Sequence, residues 1–211
     1  MGLLNNFFNQ TRKPEGVLGR LMVSGMNSGH AAVADWGMAF LEGLQPQTML
    51  DVGCGGGRNI GALLDRFPAA AGVAVDYSPV SVEKSKQHNK TLIDAGRCRV
   101  QQADVSALPL ESGTYDLVTA FETVYFWPGL PRCFAEVARV LGDGGAFLIV
   151  NESDGTDKTA KKFESIIDGM VCYTAQDIEA ALKAAGFGEF CVFRHETKPW
   201  MAVLAKKGPA C

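Results

Sequence analysis

The ten residues LDVGCGGGRN, at positions 50–59, carry the clearest structural signal in this chain. The run that leads into them, residues 48–52, has the length of a buried strand, and four glycines then fall within positions 53–57. Apolar residues follow at the i, i+3, i+4, i+7 spacing of one helix face, at Ile60, Leu63, Leu64 and Phe67. We therefore predict a strand, a tight glycine turn and a helix. Such a turn binds anionic or zwitterionic cofactors, because glycine admits close approach and the helix N-terminus is partly positive.

The spacing of these glycines indicates which cofactor the turn holds. The dinucleotide-binding pattern G-x-G-x-x-G needs a third glycine where this chain has Arg58 or Ile60. The chain instead has the pattern D-x-G-x-G-x-G, formed by Asp51, Gly53, Gly55 and Gly57. This pattern resembles the first motif of class I S-adenosylmethionine (SAM) dependent methyltransferases, which implies that these four residues belong to a SAM site. An ordinary tight turn between a strand and a helix is the alternative.

Asp76 ends a second predicted strand, residues 71–75, about twenty residues beyond the glycine turn. A carboxylate at that place accepts the ribose hydroxyls of an adenosine cofactor, whether NAD or SAM. The alternative is a helix-capping aspartate, but Ser78 and Pro79 already supply a cap and a first-turn proline. We assign Asp76 and its neighbour Tyr77 to the cofactor site.

The resemblance to methyltransferases extends to two later segments. It implies that Asp104, after a predicted strand at 98–102, binds the adenine amino group, and that the backbone of Val105 meets a ring nitrogen. A loop aspartate without a ligand is the alternative. Phe121, after a predicted strand at 115–120, begins the segment that passes the methionine part of SAM in this family.

One carboxylate and an aromatic cluster follow that strand: Glu122, Tyr125, Phe126 and Trp127. The family's [DN]-P-P-[YF] motif, which methylates amino groups of bases and some glutamines, is absent, and so is the paired-glutamate loop of arginine methyltransferases. The rings suit the walls of a pocket for a small, partly apolar acceptor, although core packing is expected for at least one of them. We select Glu122 and Tyr125 as candidates for catalytic roles on the acceptor side.

His30 is the third catalytic candidate. It lies at a polar break, residues 27–30, between two helical stripes that span positions 18–26 and 33–44. Helices before the first strand of such a sheet often cover the cofactor, which favours contact between His30 and SAM or the acceptor. The alternative is that Asn27 or Ser28 caps the second helix and His30 lies in its first turn.

Composition limits the function classes. The chain has 211 residues, of which 47% are hydrophobic and 20% charged, so it suits one globular domain. Its net charge of −3 gives no basic field for phosphates, which argues against a general nucleic-acid binder. No apolar run approaches the roughly 18 residues that a bilayer span requires. We expect no secretory signal, a cytoplasmic location, no membrane partner, and a monomer or homodimer.

No metal site is predicted from the sequence. The six cysteines form no C-x-x-C pair, and there are only three histidines. Cys54, in the glycine turn, has two possible roles: a thiol of lowered pKa before a helix N-terminus, or a small filler of a crowded turn. The acidic stretch 151–157 follows the fifth predicted strand, and it is either a solvated turn or a place where carboxylates orient a substrate or cation.

The resemblance covers residues 45–205 and implies an α/β fold. This fold is a three-layer Rossmann-like sandwich, with a seven-stranded, mostly parallel sheet, one antiparallel strand and helices on both faces. Residues 1–44 would form a helical cap or lead-in to the SAM-binding domain at 45–211. Helices are predicted at 79–95, 130–141, 158–169 and after Thr174, and the glycine turn 142–145 is predicted to provide a left-handed helix cap. The remaining strands are predicted at 146–150, 190–194 and 200–205.

The resemblance implies methyl transfer from SAM to a small-molecule acceptor by in-line displacement, which leaves S-adenosylhomocysteine. Two alternatives remain: a SAM-binding regulatory protein without catalysis, and an NAD(P)-dependent oxidoreductase, which the glycine spacing disfavours. The sequence leaves open whether the acceptor is attacked through O, N, S or C.

Overall fold

The computed structural model describes residues 29–208. Its centre is a seven-stranded sheet with the strand order β3-β2-β1-β4-β5-β7-β6. The strands are Thr48–Val52 (β1), Ala71–Asp76 (β2), Cys98–Gln102 (β3), Tyr115–Phe121 (β4), Leu141–Asn151 (β5), Phe187–Arg194 (β6) and Met201–Lys207 (β7). Strands β1 to β5 pair in parallel, and β7 runs antiparallel to both β5 and β6. The predicted fold class, with its single antiparallel strand, is confirmed.

Helices cover both faces of this sheet. They are Ala31–Met38 (α1), Arg58–Arg66 (α2), Pro79–His88 (α3), Lys90–Asp94 (α4), Leu130–Val140 (α5), Lys158–Glu164 (α6) and Ala175–Ala184 (α7). Two apolar cores lie between the sheet and its helices, one around Phe134 and Phe147 and the other around Leu63 and Leu148. The two cores explain why the central strands have apolar residues on both faces. Within residues 29–208, none of the helices has both the length and the apolar composition that crossing a bilayer requires.

Two predicted boundaries are wrong. The helix predicted at 79–95 breaks at Asn89, whose side chain donates to the carbonyls of Gly57 and Ser85 at 2.9 and 3.0 Å. The glycine turn 142–145 does not cap a helix in the left-handed conformation, because Leu141, the residue after α5, is extended and already begins β5. Parallel pairing of Leu141 with Tyr115 draws this segment into the sheet.

The other predicted elements differ by a few residues at their ends. The helix predicted at 158–169 ends at Glu164, and the capping box formed by Thr174 and Asp177 is present at the start of α7. The first helical stripe and the proposed caps Asn27 and Ser28 lie outside the described residues, so the predicted 1–44 cap stays a prediction.

Sheet order and one close contact place the functional residues. The chain builds β1, β2 and β3 toward one edge and then returns beside β1 with β4, so the sheet has a topological switch point between β1 and β4. In open α/β sheets, ligands bind outside the carboxyl ends of the strands at this point. Helix α1 packs closely on β5 at Gly37, where there is no room for a side chain. A Cβ added to Gly37 would lie 2.3 Å from the Val150 side chain. This contact brings the start of α1 over the carboxyl end of the sheet.

Candidate active site

A cavity of about 320 Å³ lies at the carboxyl ends of β1, β2 and β4. Its volume falls at the small end of ligand sites, which are typically about 300–1,000 Å³. Most of the residues predicted for the site line this cavity: His30, Gly53, Gly55, Asp76, Tyr77, Asp104, Val105, Phe121 and Glu122. Asp51, Gly57 and Tyr125 do not line it. The fold therefore gathers predicted site residues from five separate segments of the chain around one space.

Glycine is required at the three motif positions for different structural reasons. Gly53, Gly55 and Gly57 all have positive φ, at 77°, 51° and 81°. A Cβ on Gly53 would lie 2.0 Å from Thr123 Oγ1, and one on Gly57 would lie 2.3 Å from Ser85 Oγ, so both glycines are needed for packing. A Cβ on Gly55 would meet no protein atom within 4 Å, although Gly55 lines the cavity. The open space beside Gly55 is the space that a ligand in contact with the backbone would occupy.

Asp76 both shapes the turn and faces the cavity. Its Oδ2 accepts a hydrogen bond from the backbone N–H of Gly55, and its Oδ1 accepts one from the N–H of Ser78, each at 2.9 Å. Burial raises the pKa of this carboxyl, and the backbone donors oppose the rise. The Ser81 side chain also hydrogen-bonds to this carboxyl. A carboxylate has about four lone-pair sites, so three protein donors leave about one for a hydroxyl donor of a ligand.

Asp104 and Val105 line the cavity directly after β3. Asp104 Oδ1 accepts from the backbone N–H of Ser106 at 2.8 Å and so begins a short 3₁₀ turn over Val105–Ala107. Arg139, on α5, holds the segment after this turn through the carbonyls of Leu108 and Leu110, at 2.9 and 2.8 Å. Helix α5 therefore fixes the loop that carries Asp104.

Asp51 lies beneath the cavity and not in its wall. The side chain is 1% exposed, and its Oδ1 accepts from the Thr119 hydroxyl at 2.8 Å. Its Oδ2 has no hydrogen-bond partner in the described structure. Burial raises the pKa of Asp51 to about 7, the Thr119 hydroxyl lowers it, and the charge of Asp76 adds to the rise.

Glu122 stands at the other end of the cavity, directly after β4. It is the one non-glycine residue with positive φ (56°) among residues 29–208. Its Oε1 accepts a hydrogen bond from the backbone N–H of Glu152, and the Tyr125 hydroxyl lies 3.5 Å from the same oxygen. Burial first, and then the nearby charge of Glu152, raise the pKa of Glu122 to about 8.

His30 reaches the same end of the cavity from the start of α1. Its side chain makes no cap hydrogen bond to α1. Its Nε2 lies 3.7 Å from a carboxylate oxygen of Glu152, the first residue after β5. Burial lowers the pKa of His30, and the charge of Glu152 opposes that change. Glu152 thus lies next to both His30 and Glu122 and links them. The sequence analysis left the role of the stretch that contains Glu152, residues 151–157, open.

The aromatic residues divide between wall and core. Phe126, Trp127 and Pro128 line the cavity. Trp127 is 7% exposed, packs edge-on against Phe134, and donates from Nε1 to Thr123 Oγ1 at 3.3 Å. Tyr125 is 4% exposed and accepts a hydrogen bond from the backbone N–H of Ser153 at 3.2 Å. Tyr125 is therefore a residue that positions Glu122 and not one that faces the cavity.

Four further residues line the cavity that the sequence analysis did not assign to the site: Arg58, Asn59, Ser81 and Thr123. Arg58 forms an ion pair with Asp35 of α1 at 2.6 Å, which ties this helix to the glycine turn. A cation directly after a glycine turn was the available signal for Arg58. No local pattern marks Ser81, which reaches the cavity because α3 begins directly after β2.

The structure also decides the two open alternatives for Cys54 and for the stretch 151–157. Cys54 is buried, and burial raises its pKa well above the usual range, so it fills the turn and is not an activated thiol. In the acidic stretch, Asp154 pairs with Arg194 at 3.1 Å, and Asp157 accepts from the backbone N–H of Ala160 as the cap of α6. Glu152 alone of these three carboxylates stands beside the cavity residues His30 and Glu122.

Comparison with known proteins agrees with this arrangement. Residues 50–149 match a family described as a methyltransferase domain. A malonyl-[acyl-carrier protein] O-methyltransferase of Geobacter sulfurreducens is 32% identical over 166 residues, which cover 74% of this chain and 61% of the relative. A sterol 4-C-methyltransferase of Caenorhabditis elegans is 27% identical over 141 residues, which cover 63% and 42%. The chain thus spans less than two thirds of the length of these relatives.

A solved structure supports the fold. Human N-acetylserotonin methyltransferase, in complex with SAM, matches with a TM-score of 0.75 at 16% identity, over 90% of this chain and 56% of the human chain. At that identity the likeness shows the fold alone. The family match, the related sequences, the sheet order and the glycine turn at the switch point agree, and residues 50–149 belong to a methyltransferase domain of the class I, SAM-dependent kind.

Proposed function

We propose that this protein transfers a methyl group from SAM to a small-molecule acceptor in the cavity at the carboxyl ends of β1, β2 and β4. The observation that carries the proposal is the convergence of Gly55, Asp76 and Asp104 on one wall and Glu122 and His30 on the other. When bound, SAM would supply a methyl carbon activated by its sulfonium, which an acceptor nucleophile would attack in line as the sulfur–carbon bond breaks and S-adenosylhomocysteine leaves. Catalysis then requires mainly positioning and the exclusion of water.

The proposed cofactor wall uses charge and open backbone. Asp76 would accept a ribose hydroxyl with the lone pair that Gly55, Ser78 and Ser81 leave unused, and a second one in place of the Ser81 side chain. Asp104 and the backbone of Val105 would bind the adenine ring. Asp51 and Gly57, which lie outside the cavity, would support the glycine turn from below and from the α3 side. Phe121 stands between this wall and Glu122, where the methionine part of SAM would pass.

The proposed acceptor end combines polar and apolar groups. Glu122 and His30 would contact the polar group of the acceptor, and Tyr125 would hold Glu122 through its hydroxyl. Phe126, Trp127 and Pro128 provide an apolar wall beside them. This mixture suits an acceptor with one polar, reacting end and an apolar body. The names of the relatives, which include an acyl O-methyltransferase and a sterol C-methyltransferase, support acceptors of this kind.

The cofactor is tested by calorimetric titration of the purified protein with SAM, S-adenosylhomocysteine and NAD in separate runs. We expect micromolar binding of the first two and no heat from NAD. Binding of NAD without binding of SAM would overturn the proposal in favour of hydride transfer. Turnover of SAM with hydroxyl, carboxyl, amine and thiol acceptors then separates an enzyme from a regulatory SAM-binding protein, which would bind SAM and methylate none of them.

The ribose role of Asp76 has a matched control in this chain. Asp76→Asn should weaken SAM binding by about 1.5–3 kcal/mol, because charge-assisted hydrogen bonds to the ribose are lost. Asp116 also holds two backbone N–H groups, those of Gln47 and Thr48, but at the opposite end of the sheet. Asp116→Asn should leave SAM affinity unchanged. Equal affinities in wild type and Asp76→Asn would remove Asp76 from the site.

A further inference from the structure

His30, Glu122 and Glu152 form a cluster of possible ligands at the acceptor end of the cavity. One imidazole nitrogen and one oxygen from each carboxylate lie within 4.8 Å of one another. The three residues come from the start of α1, the end of β4 and the end of β5, so three separate elements converge there. His30 and Glu122 line the cavity, and the Glu152 side chain is 53% exposed beside them.

Within the part of the chain that the structure describes, no basic side chain other than His30 is paired with the two carboxylates of this cluster. His30 Nε2 stands 3.7 Å from the Glu152 carboxylate, which is beyond ordinary hydrogen-bond length. Two carboxylates that face each other without a cation repel, and a bound cation would remove this repulsion.

The geometry suits an ion between the three groups. Metal–ligand bonds to imidazole nitrogen and carboxylate oxygen are about 2.0–2.2 Å long, so ligand atoms across one ion are separated by at most about 4.4 Å. The His30 Nε2–Glu152 distance of 3.7 Å is already within that limit, and the three ligand atoms all lie within 4.8 Å of one another, close to it.

Glu122 is also oriented as a ligand would be. The backbone N–H of Glu152 and the Tyr125 hydroxyl both contact its Oε1, and neither bond uses its Oε2. Metal-ligating carboxylates are commonly held in this way by hydrogen bonds to their other oxygen.

A separate observation concerns the same end of β5, where a buried side chain lacks hydrogen-bond partners. Asn151, directly before Glu152, is fully buried, and neither its side-chain nitrogen nor its side-chain oxygen has a hydrogen-bond partner in the described structure. Buried amides without a protein partner are rare and usually bind water or a ligand. The end of β5 therefore carries polar groups that the described protein atoms do not satisfy.

We propose that His30, Glu122 and Glu152 bind one divalent transition-metal ion, of the class of Mn²⁺ or Zn²⁺. A donor set with one imidazole and two carboxylates favours these ions over Mg²⁺ and Ca²⁺, which prefer all-oxygen sites. Three protein ligands leave coordination positions open, and these adjoin the cavity where an oxygen of the acceptor would bind. Ion binding itself is independent of the proposed function; only the contact with the acceptor rests on it.

Ion binding is measured on the purified chain after chelator treatment and dialysis, by titration with MnCl₂ and, separately, ZnSO₄. Electron paramagnetic resonance of free Mn²⁺ provides an independent readout. We expect about one high-affinity site per chain, and loss of at least tenfold in affinity for His30→Ala and for Glu152→Gln. Glu152 is exposed, so its amide variant should fold, which circular dichroism checks.

Matched variants control for adventitious binding. His88→Ala removes an exposed histidine of α3, and Glu111→Gln removes an exposed glutamate outside the cavity. Both variants should bind the ion as wild type does. The metal site is refuted if neither ion binds, or if His30→Ala and Glu152→Gln bind it unchanged. SAM titration of the same samples separates the two proposals: SAM binding without ion binding refutes the metal site alone, whereas failure to bind SAM refutes the proposed function.

Discussion

Gly55→Ala separates the role of the glycine turn in ligand binding from its role in folding. Gly55 has φ 51°, and a Cβ there would meet no protein atom within 4 Å. The left-handed backbone costs a residue with a Cβ about 1–2 kcal/mol. In a chain of this size such a loss lowers Tm by roughly 2–8 °C. The protein should therefore still fold, while the methyl group takes the space where SAM approaches the backbone.

The expected effect on binding is larger than the effect on folding. We expect the Kd for SAM to rise at least tenfold, which corresponds to about 1.4 kcal/mol. Calorimetric titration measures the affinity, and thermal unfolding by circular dichroism measures the stability of the same sample. Both readouts are needed, because a variant that simply unfolds would also lose binding.

Gly96→Ala is the matched control. Gly96 has φ 71°, a Cβ there would likewise meet nothing within 4 Å, and it lies in the turn before β3, away from the cavity. The two variants should lose similar stability, and only Gly55→Ala should lose SAM affinity. If Gly55→Ala binds SAM as tightly as Gly96→Ala does, the proposed approach of SAM to the turn is wrong.

Three more predictions concern the surroundings of the cavity. The pKa of Asp51 is raised from 3.8 to about 7 in the folded chain, so unfolding releases its proton between these values and stability falls as pH rises through this window. Urea denaturation at pH 5 and pH 8 should show an extra loss of about 2 kcal/mol in wild type relative to Asp51→Asn, and parallel losses would contradict the assignment. Arg139→Lys should lower the free energy of unfolding by about 1.5–3 kcal/mol, because a lysine cannot hold the Leu108 and Leu110 carbonyls together; unchanged urea denaturation would show that these bonds contribute nothing. Tyr125→Phe removes the hydroxyl that contacts Glu122 and should reduce kcat about tenfold with SAM affinity unchanged, whereas an unaltered kcat would leave Tyr125 with a packing role only.

The elements that the sequence predicted best are those with strong local periodicity. The strand at 48–52 and the helix that begins at Arg58 are present as predicted, because burial of one apolar run and one apolar face fixes both. The helix break at Asn89 was missed, because its cause is a hydrogen bond to Gly57, 32 residues away. The wrong helix cap at 142–145 has a similar origin: pairing with β4 outweighs the local preference of glycine.

The sequence by itself determined the strand, glycine turn and helix at residues 48–66, because they follow from residues adjacent in the chain. It also predicted the class of the fold through the resemblance to methyltransferases, which the sheet confirms. Only the tertiary structure decided that Asp51 and Gly57 lie outside the cavity, that Tyr125 is buried behind Glu122, and that Glu152 joins His30 and Glu122. The physical reason is that parallel strands place their carboxyl ends side by side in an order that their sequence order does not reveal. Groups that are distant along the chain become neighbours there, and the close packing of Gly37 on Val150 brings His30 to them.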